Sequence, residues 1–363
     1  MPSVFRAALR YVQGDALTAR LAAEMAAVGL GDPVLVLGGR SAVATLAPTW
    51  ATAMAAAGWR HRVRVFGGEC TAAEIAAVAA EARGLGGRAI VGAGGGKCLD
   101  TARAAAAALR LPFVACPTVA STDAATSGLS VVYDAAGAVE SSRIFDRNPD
   151  LVLVDSGVIA RAPPRYLVAG MGDALSTHYE ARAAAAGRDG QVTAAALALA
   201  RLCRETVLAD GAAALADVRA GRLTPAVERI IEAATLLSGI GFESGGLAAA
   251  HAVHDGLTAL PATRAALHGE KVAFGTLVQI VLDGTPAEFA EAAGFCRSVG
   301  LPLTLDDLGL PAATTADVEA IAARACRPGT SMHNLPRPVT AAEVADAIRE
   351  ADRRGADLRR TPV

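Results

Sequence analysis

The sequence has 363 residues, is 53% hydrophobic and carries a formal net charge of −2. This length suits two domains with a large core, and the near-neutral charge gives no basis for binding nucleic acid or an anionic membrane. Six cysteines are scattered without a CxxC pair, and the first residues contain no long apolar stretch. We therefore expect reduced thiols, no signal peptide and a cytoplasmic protein.

The first 160 residues alternate short apolar runs with alanine-rich helical patterns. Strands are predicted over 33–39, 62–66, 88–94, 112–116 and 151–155, and helices over roughly 16–28, 42–57, 72–84 and 98–110. Strands that alternate with helices predict a parallel sheet with crossover helices.

The second half of the chain has a different character. Apolar β-branched runs largely end at Asp155, and helical patterns continue to about residue 352. We expect a Rossmann-like α/β domain over residues 1–160 and an all-helical domain over 161–363. A ligand would bind in the cleft between them.

The stretch "GAGGGKCLD", residues 92–100, contains one of the only two lysines among 34 basic residues, Lys97 and Lys271. It follows a predicted strand and begins a predicted helix, so backbone N–H groups would face the glycines and form an anion site suited to a pyrophosphate. Cys98 stands where a P-loop has Ser or Thr, which weakens a nucleotide triphosphatase interpretation. A plain glycine-rich turn remains an alternative.

The next loop, "CPTVASTDAATSGLSVVYD" at 116–134, is crowded with small hydroxyl side chains. A polar loop at the carboxyl end of a strand is where an α/β domain binds its ligand. An ordinary loop whose hydroxyl side chains cap the local backbone is the alternative, because it would have the same composition.

Three of the six histidines lie within eighteen residues, at His251, His254 and His268. His251 and His254 are three apart and share a helix face, and Asp173 in "GMGDALSTHYEA" offers a carboxylate. Two imidazoles and one carboxylate leave an open position on a divalent metal, as in a catalytic site. Histidines unrelated to a metal, and a helix cap at Asp173, are the alternatives.

Together, "GAGGGKCLDTAR", "PTVASTDAATSGLSVVYD", "NPDLVLVD", "GMGDALSTHYEA", "GGLAAAHAVHDGLT" and "LHGEKVAFGTLVQ" resemble the metal-dependent polyol dehydrogenases. This is the iron-containing alcohol dehydrogenase family that includes the glycerol dehydrogenases. The resemblance runs from about residue 5 to 350 in the same order. It implies a dehydroquinate-synthase-like fold and assembly into homo-oligomers.

The resemblance also implies roles for individual residues. Asp173, His254 and His268 match the metal ligands, with zinc usual and iron or manganese possible, while His251 lies nearby without being a ligand. Asp123 matches a contact to a substrate hydroxyl. Contacts to the NAD or NADP cofactor are implied for the glycine turn and the polar loop, at Gly94, Gly95, Gly96, Lys97, Asp100, Thr118, Ser121, Ser127, Leu129 and Tyr133.

The implied reaction is hydride transfer between a small polyol, such as glycerol, and the nicotinamide ring, with the metal charge helping the alcohol to lose its proton. A vicinal diol would suit such a metal. The alternatives are a lyase resembling dehydroquinate synthase, a dehydrogenase for a different alcohol, and an inactive homologue. The lyase needs a cluster of basic groups that no motif provides, and the intact ligand set argues against an inactive protein.

The choice between NAD and NADP depends on "LGGRSA", the end of the first predicted strand. An acidic residue here would accept hydrogen bonds from the ribose 2′-hydroxyl and repel a 2′-phosphate. The sequence has Gly39 and then Arg40, whose guanidinium suits a phosphate. We expect relaxed specificity or use of NADP, with an outward-facing Arg40 and use of NAD as the alternative.

Overall fold

The computed structural model describes residues 2–134, 137, 139–187 and 191–360. The strands are β1 Tyr11–Gly14, β2 Val34–Gly38, β3 His61–Val65, β4 Ala89–Gly94, β5 Phe113–Pro117, β6 Leu129–Tyr133, β7 Val139–Ile144 and β8 Leu151–Asp155. The helices of the first half are α1 Leu21–Ala27, α2 Arg40–Ala56, α3 Ala72–Leu85, α4 Gly96–Leu109 and α5 Ser156–Ala160.

The second half of the described chain is helical. Its α-helices are α6 Pro164–Gly187, α7 Ala194–Arg219, α8 Pro225–Glu232, α9 Ser238–Gly245, α10 Ala249–Thr258, α11 His268–Asp283, α12 Pro286–Val299, α13 Thr315–Ala325 and α14 Ala341–Arg360. A π-helical segment at Ala233–Leu237 joins α8 to α9. Short 3-10 helices occur at Leu17–Arg20, Pro261–Ala265, Asp306–Leu308 and Ser331–Asn334. No helix among the described residues is long and apolar enough to cross a membrane.

Six strands form one sheet in the order β1-β8-β5-β4-β2-β3, and every pair in it is parallel. The chain passes from β2 outward to β3 and then returns to the other side of β2 for β4. The strand order therefore reverses between β2 and β4. In an open parallel sheet, ligands bind beyond the carboxyl ends of the strands at such a reversal.

Both faces of the sheet are covered, which explains why its central strands are uninterrupted apolar runs. Leu21, Trp50 and Met54, from α1 and α2, pack on one face. On the other, Ile75 from α3 and Leu99 from α4 belong to a cluster that continues into the helical half as far as Phe274. One continuous core thus runs from the sheet into the helices.

The predicted fold class is confirmed: a parallel α/β sheet precedes a helical region. The five predicted strands correspond to β2, β3, β4, β5 and β8, and the four predicted helical regions are also present. The sequence did not predict β1 or the antiparallel pair of β6 and β7. The change from strands to helices falls after Asp155, while a domain boundary at 160/161 stays a prediction.

Two helices of the helical half approach each other unusually closely. A Cβ atom on Gly269, at the start of α11, would collide with the carbonyl oxygen of Ala169 in α6. Only glycine permits this backbone contact. As a result, the N-terminus of α11, which begins with His268, lies directly against the part of α6 that carries Asp173.

Candidate active site

The carboxyl ends of β2 and β4 lie side by side, since Gly38 pairs with Ala93. Just beyond them the Gly39 N–H donates to the Ala93 carbonyl at 2.8 Å. The segment that the sequence associated with the ribose, Gly39 and Arg40, therefore sits beside the glycine turn at the point where strand order reverses. This placement suits a dinucleotide that extends across both loops.

The glycine turn leads into α4, whose N-cap residue, Gly95, provides no side-chain cap. The first N–H groups of the helix are therefore available to an anion. Added Cβ atoms would lie 2.8 Å from Cys98 at Gly94 and 3.1 Å from the Thr122 hydroxyl at Gly96. The turn is thus packed too closely to accept side chains, and its glycines leave the first backbone N–H groups of α4 unobstructed, which fits a bound pyrophosphate.

The Lys97 side chain is already engaged by two other side chains. Its Nζ is 2.6 Å from Glu69 Oε2 and 4.4 Å from the centre of the Tyr133 ring. The ammonium charge is already balanced by a carboxylate. We therefore attribute anion binding chiefly to the backbone of the turn.

The Asp100 carboxylate is held by contacts within the protein scaffold. Its buried carboxylate lies 2.6 Å from Arg103 Nη1 and accepts the Val131 N–H at 3.1 Å. Arg103 also donates to the carbonyls of Ala124 and Leu129. This buried pair fastens α4 to the polar loop and to β6. Asp100, predicted as a cofactor contact, therefore has its carboxylate engaged by the scaffold.

The polar loop brings its residues to the boundary between sheet and helices. Thr118, Ser121 and Leu129 are partly buried, whereas Ser127 is fully buried. Asp123 is the member that reaches the helical half: its N–H donates to Asp173 Oδ2 at 3.1 Å, and its Oδ2 accepts from Ser238 Oγ at 3.1 Å. The loop after β5 thereby connects the glycine turn to the histidine cluster.

A candidate metal centre lies at this junction. Asp173, His251 and His268 each offer one ligand atom, and these atoms all lie within 4.8 Å of one another. Asp173 Oδ1 is 3.1 Å from His268 Nε2 and 3.6 Å from His251 Nε2. The same oxygen is buried yet accepts no hydrogen bond from the described residues. A buried carboxylate oxygen facing two imidazole nitrogens has the chemistry of a metal site, so these residues fit a divalent ion.

This geometric group differs from the predicted ligand set in one residue. His251, placed outside the set by the resemblance, belongs to the group. His254 instead directs Nε2 to His268 Nδ1 at 2.9 Å, and its Nδ1 lies 3.1 Å from Asp255 Oδ1. His254 therefore contacts the His268 ring at Nδ1, while His268 Nε2 faces Asp173.

Burial and neighbouring charges shift the pKa values of the groups at this centre. Burial and the nearby Asp173 raise the pKa of Asp123 well above its usual range. Burial opposes ionisation of Asp173 as well, but His268 and His251 lower its pKa overall. Burial and the neighbouring His268 lower the pKa of His254 to about 4, so this imidazole is neutral near pH 7. An ionised Asp173 carboxylate with imidazoles beside it is a set of ligands that suits a divalent ion.

Sequence reasoning missed two partners of these residues. Glu180 is fully buried and lies 2.7 Å from His251 Nδ1. Ser238 begins α9, directly after the π-helical segment, and contacts both Asp123 and Thr177. Glu180 lies seven residues after Asp173, a spacing that places both on one helix face, and this was the available signal. Ser238 had none.

Comparisons with known proteins agree with the fold and with the class of enzyme that the sequence resembles. The iron-containing alcohol dehydrogenase family model matches residues 8–156. A glycerol dehydrogenase from Citrobacter freundii is 52% identical over 273 residues, which cover 74% of this chain and 75% of that protein. A glycolaldehyde reductase from Halobacterium salinarum is 42% identical and covers 99% of this chain and 100% of its own. The crystal structure of a probable glycerol dehydrogenase from Sinorhizobium meliloti 1021 matches with a TM-score of 0.93 at 42% identity, covering 98% of this chain and 100% of that one.

An α/β sheet followed by a helical region, with a candidate metal centre where the two meet, is typical of metal-assisted dehydrogenases. The chain belongs to the iron-containing alcohol dehydrogenase family. It is an oxidoreductase that acts on alcohols with a nicotinamide cofactor and a metal, and the lyase alternative is not favoured.

Proposed function

We propose that this protein transfers hydride between a small polyol, such as glycerol or its hydroxyketone, and NAD or NADP. The observation that carries the proposal is the connection through Asp123, which lies in the loop beside the glycine turn and contacts Asp173 of the metal centre. A substrate held there would lie between the metal and the nicotinamide. The relatives named glycerol dehydrogenase support this substrate class.

Asp173, His251 and His268 would hold the metal, zinc being our first choice and iron or manganese also suited to these ligands. When bound, the ion supplies positive charge that makes an alcohol hydroxyl more acidic. His254 keeps the His268 ring oriented through the 2.9 Å contact between their nitrogens. Assembly into homo-oligomers stays a prediction.

Asp123 would orient the substrate by accepting a hydrogen bond from a hydroxyl. Its position is fixed on both sides, by its own N–H bonded to Asp173 and by Ser238 bonded to its carboxyl group. Only 8% of Asp123 is exposed, so its carboxyl group is largely shielded from solvent. A fixed and largely buried acceptor would orient the substrate carbon toward the cofactor loops.

Gly39 and Arg40 support use of NADP. A Cβ on Gly39 would meet nothing closer than 3.8 Å, so the absence of an acidic side chain there leaves open space. Arg40 begins α2 and is exposed. Its guanidinium forms no ion pair with another residue of the described ranges. Open space beside a free guanidinium suits a ribose 2′-phosphate.

One of the relatives favours a second candidate function, in which the protein works mainly in the direction of reduction. The glycolaldehyde reductase relative spans nearly the whole chain, so reduction of a small hydroxyaldehyde is the runner-up. The test is cofactor absorbance at 340 nm with a panel of diols and polyols in one direction and of hydroxyketones and glycolaldehyde in the other. Turnover of glycerol and dihydroxyacetone supports the proposal. Turnover of glycolaldehyde alone favours the runner-up, and binding of cofactor without turnover of any of them contradicts both.

A further inference from the structure

Glu180 is a buried carboxylate that the proposed reaction does not use. It lies on α6, is 0% exposed, and directs both oxygens at the start of α10. Oε1 accepts the N–H groups of Ala248 and His251 at 2.8 and 3.0 Å, and Oε2 lies 2.7 Å from His251 Nδ1. Among the described residues no arginine or lysine forms an ion pair with Glu180, and His251 is its only partner of that kind.

The first of these contacts replaces a missing helix cap. The residue before α10 is Ala248, which has no side-chain acceptor for the free N–H groups of the first turn. Glu180 supplies that acceptor from another helix, and its negative charge lies at the positive end of α10. The position of the first turn of α10, and of His251 within it, is therefore set by α6.

The second contact sets which nitrogen of His251 carries hydrogen. A carboxylate can only accept, so His251 Nδ1 must donate to Glu180. Its Nε2 then faces Asp173 Oδ1, 3.6 Å away, with a lone pair available to an ion. Asp173 and Glu180 lie seven residues apart on one helix, so a single face of α6 supplies both a metal ligand and the group that orients another.

We propose that Glu180 is a positioning residue for the metal centre, which fixes the ring orientation and tautomer of His251. This inference rests on the proposed function, specifically on His251 as a ligand. The informative substitution is Glu180→Gln, which keeps the shape and one acceptor oxygen for the helix cap. Its amide nitrogen would face His251 Nδ1, which must then accept, so that Nε2 carries the hydrogen and loses its lone pair.

The experiment measures zinc affinity of the full-length protein by competition with a chelator, with metal content from elemental analysis. We expect Glu180→Gln to weaken zinc binding roughly 10- to 100-fold, with affinity for the nicotinamide cofactor unchanged. The matched control is Glu243→Gln, which alters another carboxylate with an 8% exposed side chain that is hydrogen-bonded to Gly128 and is not part of the metal group. It should leave zinc affinity unchanged.

Two further variants separate this inference from the proposed function. If His251→Ala loses zinc and Glu180→Gln adds no further loss in that background, Glu180 acts through His251 as proposed. If Glu180→Gln binds zinc as tightly as the wild type while His251→Ala loses zinc, the role of Glu180 is overturned and His251 remains a ligand. Zinc retained by His251→Ala but lost by His254→Ala overturns the proposed ligand set. Glu180→Asp, which retracts the carboxylate from Nδ1, replaces the Gln variant if that protein does not fold, with the same loss expected.

Discussion

The proposed contact between Asp123 and a substrate hydroxyl can be tested with one substitution. Asp123→Asn keeps an oxygen for the Ser238 hydrogen bond but replaces the second oxygen, which could accept from a substrate hydroxyl, with an amide group that can only donate. Losing one such acceptor costs about 1–3 kcal/mol of binding. We therefore expect a higher apparent KM for the polyol or a lower kcat, with unchanged cofactor affinity. Steady-state kinetics and a cofactor titration measure both, and weakened cofactor binding with normal substrate kinetics would contradict the role.

Cofactor choice is also decided at single residues. We expect the wild type to use NADP at least as well as NAD, and Arg40→Ala to lower kcat/KM for NADP roughly tenfold or more while NAD is little affected, because a charge-assisted hydrogen bond contributes about 1.5–3 kcal/mol. Gly39→Asp should shift preference toward NAD, since its added carboxylate has space and repels a 2′-phosphate.

The control for these variants is Arg88→Ala. Arg88 is also exposed but lies before β4, at the opposite end of the strands. It should change neither preference. A strict NAD preference in the wild type that Arg40→Ala leaves unaltered would remove the basis for NADP use.

At the scale of elements, the contact between α6 and α11 determines the distance from Asp173 to His268. Gly269→Ala would place a methyl group against the Ala169 carbonyl and push the helices apart. Overpacking of this kind typically costs about 1–3 kcal/mol. We expect a lower Tm and weaker metal binding, measured by thermal unfolding and elemental analysis.

Gly294→Ala in α12 is the matched control, because nothing lies within 4 Å of its added Cβ. Alanine is the better helix former by roughly 0.5–1 kcal/mol, so this variant should be slightly more stable and bind metal normally. If Gly269→Ala behaved like Gly294→Ala, the close helix contact would not be what sets the ligand distance.

The elements also show what the sequence could predict. The strands β2, β4, β5 and β8 are buried on both faces, so they appear as continuous apolar runs. The edge strand β1 has no such run, because Tyr11 and Gln13 form hydrogen bonds to Thr235 and Glu228 of the helical half. In β7, "VESSRI" is largely exposed and lacks an apolar face. Pairing, rather than an apolar pattern, selects these two strands: β1 pairs with the distant β8, and β7 pairs with the preceding strand β6.

For the whole molecule, the site depends on contacts between residues far apart in the chain. The sequence identified Asp173 and the three histidines, and the resemblance placed His254 rather than His251 among the ligands. Spacing alone does not distinguish these two histidines, since both lie on one helix face. That choice depends on Glu180, Asp255 and the approach of α11 to α6, which only the folded chain brings together. The ion pair between Lys97 and Glu69, which stands 28 residues earlier in the chain, is likewise visible only in the folded structure.

The central claim is that one metal ion at the junction of sheet and helices supports nicotinamide-dependent oxidation of a polyol. The most direct measurement strips the full-length protein with a chelator and follows glycerol oxidation at 340 nm while zinc is added back in steps. We predict negligible turnover without metal, recovery that levels off at one ion per chain, and no recovery in His268→Ala. Full turnover by metal-free protein, or recovery in His268→Ala equal to that of the wild type, would contradict the account.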